Sequence, residues 1–209
     1  MMVNLKNKIV LITGASSGIG AACAEIFAKR KASLILCARR IDKLNQLTEN
    51  LKAKYDTKVL TLKLDIKKPE LVKSELCSLD SSWENIDILI NNAGLARGLH
   101  KIHEGDIADW DEMIDTNVKG LLYVTRAVLP QMVKRNSGHI INIGSIAGHE
   151  VYPNGAIYCA TKHAINAITK GLKHDLLGTS VRVSSIDPGW VKTEFSVIRF
   201  KGDVKRAES

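Results

Sequence analysis

No apolar run in this 209-residue chain approaches the roughly 20 residues that a bilayer-spanning helix needs. A secretory signal is missing as well. Lys6 and Lys8 resemble a charged lead-in, but residues 9–12 are too short for the hydrophobic part of a signal and run straight into glycines. A cytoplasmic location is therefore expected, with no membrane partner. Cysteine is sparse and scattered: Cys23, Cys37, Cys77 and Cys159 form no C-x-x-C pair, which excludes a disulfide scaffold and predicts four reduced thiols. The six histidines form no H-x-x-x-H or H-E-x-x-H pattern, so no metal site is expected. Linkers and low-complexity stretches are also lacking, which leaves one domain over residues 1–209.

What is present is an ordinary globular composition, 45% hydrophobic and 25% charged. The formal charge of +8 is spread along the chain, as in Lys43, Lys52, Lys54, Lys67, Lys68 and Lys73. A nucleic-acid partner would need those cations gathered on one face. A solvated basic surface that attracts phosphorylated ligands fits better, so no nucleic acid is expected.

Short apolar segments alternate with longer amphipathic ones. Strands are predicted over residues 8–13, 32–38, 58–64, 86–90, 139–143 and 181–186. Helices are predicted over 19–30, 42–54, from Pro69 onward, 107–134 and 156–177. The long helical stretch is expected to break near residues 117–120, and Pro130 is a candidate kink. Val/Ile/Leu-rich strands that alternate with helices describe an α/β fold, a Rossmann-type doubly wound parallel sheet in three αβα layers. The sixth strand reads as an edge, and residues 196–209 as a polar tail or the start of a segment that covers a substrate.

Between the first strand and first helix lies Thr13-Gly14-Ala15-Ser16-Ser17-Gly18-Ile19-Gly20. Gly14 suits a tight turn, Gly18 a backbone that approaches a pyrophosphate, and Gly20 close helix packing. The helix N-terminus offers free N–H groups and the positive end of its dipole to phosphate. The spacing is not G-x-G-x-x-G, and a glycine-rich turn without a ligand is the plain alternative. At the end of the second strand an acidic residue would receive a ribose 2′-hydroxyl, whereas a cation would receive a 2′-phosphate. Arg39 and Arg40 stand there, so NADP is preferred over NAD, with Asp42 as the residue that opposes this choice. A solvated helix start is the bland reading of the two arginines.

Tyr158 and Lys162 are four apart near a helix start, hence on one face. An ammonium beside a phenol favours phenolate, which would bring a group with a pKa near ~10 toward use as an acid or base. Ser145 follows the fifth strand at the sheet edge where open α/β sheets bind ligands. Asn117 lies inside a helical pattern, where Asn is a mediocre helix former, and suits anchoring a water or a backbone carbonyl.

With Asp65, Asn91-Asn92-Ala93-Gly94, Pro188-Gly189 and Thr193, these residues stand in the order of the short-chain dehydrogenase/reductase family, which the sequence resembles over nearly its whole length. The resemblance implies an Asn117–Ser145–Tyr158–Lys162 tetrad. Tyr158 would exchange the hydroxyl proton and Ser145 would orient the substrate. Lys162 would bind the nicotinamide ribose and lower the tyrosine pKa, and Asn117 would support a relay water. Asp65 and Ile66 would contact adenine, Asn92 with Ala93 and Gly94 the ribose region, and Pro188, Gly189, Trp190, Val191 and Thr193 the nicotinamide end.

Gly94-Leu95-Ala96 and residues 141–145 and 193–203 are similar to the NADP-dependent 3-hydroxy acid (serine/allo-threonine) dehydrogenase branch. That implies a small hydroxy acid or carbonyl substrate, with Arg97 or Arg199 as the cation for its carboxylate. A 3-oxoacyl-thioester reductase and a non-catalytic NADP-binding protein are the alternatives. A homo-oligomer, tetramer or dimer, is expected from the same resemblance. Relatives continue to a further helix and a seventh strand that this chain lacks, which would bear on stability, lid closure and assembly.

Overall fold

The computed structural model describes residues 5–208. Six strands form one sheet: β1 (Ile9–Thr13), β2 (Ser33–Ala38), β3 (Val59–Lys63), β4 (Ile88–Asn91), β5 (Gly138–Ile143) and β6 (Val181–Ile186), in the order β3-β2-β1-β4-β5-β6 with every pair parallel. Strand residues alternate between two cores. Leu11, Ile35, Leu89 and Ile140 face one side, where they meet Val72 and Leu76 of α3 (Pro69–Cys77) and Val124, Val128 and Met132 of α5 (Leu121–Lys134). Val10, Ile12, Leu34 and Leu36 face the other, against Ala24 and Ala28 of α1 (Gly18–Lys29) and Leu44 and Leu51 of α2 (Ile41–Tyr55). Burial on both faces is what a parallel sheet covered by helices requires. The expected Rossmann-type three-layer sheet is therefore what forms.

The order reverses between β1 and β4, and at that point the C-terminal ends of the strands diverge into a crevice. Elements run close to their expected bounds. The fourth strand begins at Ile88 rather than residue 86, with the Asp87 N–H just before it donating to the Ile9 carbonyl of β1, 2.9 Å away. The long helical stretch is interrupted as expected: α4 (Ile107–Ile114) passes through a π-helical turn, Asp115–Gly120, into α5. A π turn inserts a residue and re-aims the side chains on it. Gly120 makes room for that turn, since an added Cβ would lie 2.6 Å from Ile66 Cδ1. Pro130 is accommodated inside α5 without ending it.

After α6 (Ala156–Asp175) and β6, the chain folds into two short helices, α7 (Phe195–Arg199) and α8 (Val204–Glu208). Phe195 and Ile198 pack on the cluster of Leu95, Ala96 and Met113. Among the described residues no helix is long and apolar enough to cross a membrane, and the four cysteines are free.

Candidate active site

The crevice holds a cavity of about 650 Å³. Its floor is the loop after β1, which is braced by the loop after β4. Thr13 Oγ1 accepts the N–H groups of Asn92 and Ala93, both at 3.0 Å, and the Asn92 amide donates to the carbonyls of Thr13 (2.9 Å) and Gly14 (3.1 Å). Gly14 has φ +64°, and an added Cβ would lie 2.8 Å from Ala93 Cα, so no other residue fits this turn without strain. Ala15 is buried and donates its N–H to Cys37. Gly20 is buried against Asn92. Ser17 caps α1 without a side-chain hydrogen bond and no acidic residue occupies the first turn, while Ser17, Gly18 and Ile19 line the cavity. Such a helix end has N–H groups and positive dipole to offer an anion.

Past β2, Arg40 donates through Nη2 to Ser17 Oγ (2.8 Å) and Ser16 Oγ (3.3 Å), and through Nη1 to Glu194 Oε2 (2.8 Å). Arg39 approaches Glu112, 3.6 Å away. Asp42 is exposed on the first turn of α2. Asp65 accepts the Lys67 N–H, and the Ile66 side chain is buried against Gly120.

On the far wall stand the four residues singled out together. Asn117 is 1% exposed and clamps the loop after β4: Nδ2 donates to the Leu95 carbonyl and Oδ1 accepts the Leu95 N–H, both at 2.8 Å. Nδ2 also donates to Thr161 Oγ1 on α6, 3.0 Å away. Of the two roles the sequence suggested for this side chain, it takes the backbone carbonyl. Ser145 N-caps the turn Ile146–Gly148, and its Oγ accepts the Ala147 N–H at 3.1 Å. Tyr158 and Lys162 lie on one face of α6, with Lys162 Nζ 5.8 Å from the phenol ring centroid and donating to the Ile143 carbonyl at 2.9 Å.

Electrostatically the site departs from the sequence expectation. Burial pushes Tyr158 up to about 12, against the downward pull of the Ser145 hydroxyl and the Arg199 guanidinium. Burial also pushes Lys162 down to about 8, with Asp187 opposing. The lysine was expected to ionise the tyrosine. Desolvation instead drives both groups toward their neutral forms, because their charges lie deep in a low-dielectric wall.

The two candidate cations separate. Arg97 donates through Nε to Glu112 at 2.7 Å and through Nη1 to the Ile198 carbonyl, so it is committed to holding α7. Arg199 lines the cavity, stacks 5.1 Å from the Tyr158 centroid and 5.3 Å from that of Phe195, and donates to the Tyr152 hydroxyl at 2.7 Å. Its Nε is buried without a hydrogen-bond partner. Pro188, Gly189, Val191 and Thr193 also line the cavity, and so does Trp190, whose side chain is 93% exposed.

Sequence reasoning missed several residues here. Tyr152 and Phe195 wall the cavity beside Tyr158. Asp187, just before Pro188, accepts from Ser185 at 2.6 Å and pairs with His149 at 2.9 Å; burial would raise its pKa, but those two partners hold it low. The pairing of Asp187 with His149, 38 residues away, leaves no periodic signal, although the small Gly144, which makes room for the Asp187 carboxylate, was a hint.

Residues 8–202 match the short chain dehydrogenase family. The chain is 46% identical over 209 residues to an NADP-dependent 3-hydroxy acid dehydrogenase of Schizosaccharomyces pombe, all of this chain and 81% of that protein. It is 48% identical over 200 residues to one of Salmonella typhi, 95% of this chain and 79% of the relative. Among solved structures it is similar to the closed form of a serine dehydrogenase complexed with NADP+, with TM-score 0.90 and 46% identity over 96% of this chain and 79% of that one.

Proposed function

The chain belongs to the short chain dehydrogenase family, and from that premise we propose that it is an NADP-dependent oxidoreductase. It interconverts the hydroxyl of a small, serine-like 3-hydroxy acid and the matching carbonyl. One observation carries the reading: a single cavity has the phosphate loop at one end and Ser145, Tyr158 and the half-satisfied cation Arg199 at the other.

The residues present fit the cofactor. Gly14 and Gly18 leave a cradle that a Cβ would fill, the first turn of α1 carries no competing acid, and two arginines follow β2 for the 2′-phosphate. When bound, NADP supplies the hydride acceptor and donor. The protein supplies position and proton chemistry. Tyr158 holds or takes the proton at the substrate oxygen, and Ser145 Oγ bonds that oxygen from the other side. Lys162, fixed on the Ile143 carbonyl, presents its remaining N–H groups to the cofactor ribose. Asn117 holds the Leu95 backbone, and so the wall of the pocket, through both of its polar atoms. Arg199 binds the substrate carboxylate: an unpaired buried N–H beside a guanidinium stacked on rings favours a forked anion. Ser196, Ile198 and Arg199 line the cavity and suit a segment that covers the substrate.

The protein acts in the cytoplasm as a homo-oligomer, dimer or tetramer. Ile107, Ile114 and Leu122 along α4 and α5 are exposed apolar residues that a partner subunit would cover. An acyl-thioester reductase would share the tetrad, yet a thioester has no carboxylate for Arg199.

Turnover of L-serine, D-serine, allo-threonine and 3-hydroxypropionate, followed by NADPH absorbance with NAD in parallel, tests the reading. NADP-linked oxidation that Tyr158→Phe abolishes is the expected result. Tight NADP binding with no turnover of any of these acids, and with reduction of acyl-thioesters instead, would refute the substrate assignment.

A further inference from the structure

At the cofactor end, a carboxylate of the chain itself occupies Arg40, one of the two arginines offered to the 2′-phosphate, together with the neighbouring cation Lys43. Arg40 and Lys43 both belong to the segment that leaves β2, the point at which the group on the 2′ position is chosen. Glu194, some 150 residues later in the chain, takes both: Oε2 accepts from Arg40 at 2.8 Å and Oε1 from Lys43 at 2.5 Å. The pairing does not serve to place Arg40, because Nη2 of the same guanidinium is already anchored on the hydroxyls of Ser16 and Ser17. Glu194 therefore occupies the cation rather than orienting it. Its neighbours connect this contact to the rest of the site. Thr193 lies over Gly18, where an added Cβ would meet it at 3.2 Å, and the Phe195 ring lies 5.6 Å from that of Tyr158.

We propose that Glu194 is an internal competitor for the 2′-phosphate, a carboxylate that Arg40 and Lys43 hold until a phosphate dianion displaces it. The proposal rests on the NADP reading above. A dianion with three acceptor oxygens outbids one carboxylate for two cations, whereas the 2′-hydroxyl of NAD carries no charge with which to do so. The contact thus lowers the affinity for every 2′-phosphorylated ligand by a fixed factor and leaves NAD untouched. Glu194, Arg40 and Lys43 are 40%, 41% and 47% exposed, so the factor is that of solvent-screened pairs rather than of buried ones.

Calorimetric titration with 2′,5′-ADP and with 5′-ADP tests this without turnover. Wild type should prefer 2′,5′-ADP. Glu194→Gln should bind 2′,5′-ADP about three- to tenfold tighter, with 5′-ADP unchanged within about twofold, and the gain should shrink as salt is raised. In an Arg40→Met/Lys43→Met background the same substitution should give no gain, since no cation remains to be released. Unchanged or weaker binding of 2′,5′-ADP by Glu194→Gln overturns the proposal, as does equal tightening of both ligands or a gain that persists without the two cations. If wild type shows no preference for 2′,5′-ADP, the NADP reading itself fails and the competitor role falls with it.

Discussion

Replacing Lys162 with methionine should make this protein more stable at neutral pH while ending its turnover. Lys162 is buried at the end of the sheet, and burial holds its pKa at about 8, against an ordinary 10.5. The folded-state pKa is depressed, so for this base the cost to folding is complete below pH 8 and fades as pH rises through 10.5. That depression corresponds to roughly 3 kcal/mol. Methionine fills similar space without the charge, but it leaves the Ile143 carbonyl without its 2.9 Å partner, a loss of about 1–3 kcal/mol. The net expectation near pH 7 is a variant more stable by up to about 2 kcal/mol.

The pH dependence separates this account from simple packing. Near pH 10 the unfolded lysine is itself losing its proton, and the cost in wild type falls to about 1 kcal/mol. Lys162→Met should then be no more stable than wild type, or less so. Tyr158 titrates upward in both proteins and drops out of the difference. Urea unfolding of the two chains between about pH 7 and pH 10 should show their stability difference change by roughly 2 kcal/mol, with wild type gaining. A difference that stays constant over that range would falsify the argument, because it would mean that the folded lysine keeps its ordinary pKa.

Other substitutions probe the rest of the site. Asn117→Ala orphans the buried N–H and carbonyl of Leu95 and should cost about 2–5 kcal/mol by chemical unfolding, whereas a cost under about 1 kcal/mol would mean the clamp is dispensable. Arg199→Met should raise KM for a 3-hydroxy acid more than tenfold with a smaller change in kcat; equal KM values would remove the carboxylate role. Gly144→Ala drives a methyl into the Asp187 carboxylate and should destabilise by about 1–3 kcal/mol, a loss that Asp187→Ala in the same chain should largely restore. Ultraviolet titration of the ligand-free protein should find a tyrosine ionising near 12 that disappears in Tyr158→Phe, and an ordinary transition near ~10 at that residue would contradict the burial described.

The layers of the fold were legible because the central strands are buried on both faces and carry unbroken apolar runs, as in residues 34–38, while each helix follows its own period. The interruption at residues 115–120 was legible too, as an Asn and a Gly inside a helical pattern, although its π geometry depends on Ile66 from another layer. Tyr158, Lys162, Ser145 and Asn117 could be nominated since their types and local positions are unusual. What they do to one another could not be read. The direction of the tyrosine shift depends on how deeply α6 is covered, and the cover comes from α7 and from Tyr152, which no local pattern ties to Tyr158. Arg97 and Arg199 looked equivalent in sequence, and only Glu112 on α4 distinguishes them by engaging the first.

The shifts at Tyr158 and Lys162 also bear on how such a pair can work. Two neighbouring groups that burial drives in opposite senses, one to about 12 and one to about 8, both move toward their uncharged forms. A phenol in that state holds its proton firmly at neutral pH and is suited to giving it up to an oxygen that gains charge. The reverse step needs positive charge near the phenolate, and beside Lys162 that charge comes from Arg199, whose guanidinium is 5.1 Å from the ring centroid and already lowers the phenol. Arg199 sits on α7, in the segment that also carries Glu194 and Phe195. The acidity of the central tyrosine therefore depends in part on a short helix at the mouth of the cavity, and displacing α7 would take Arg199 from the ring and raise the phenol further.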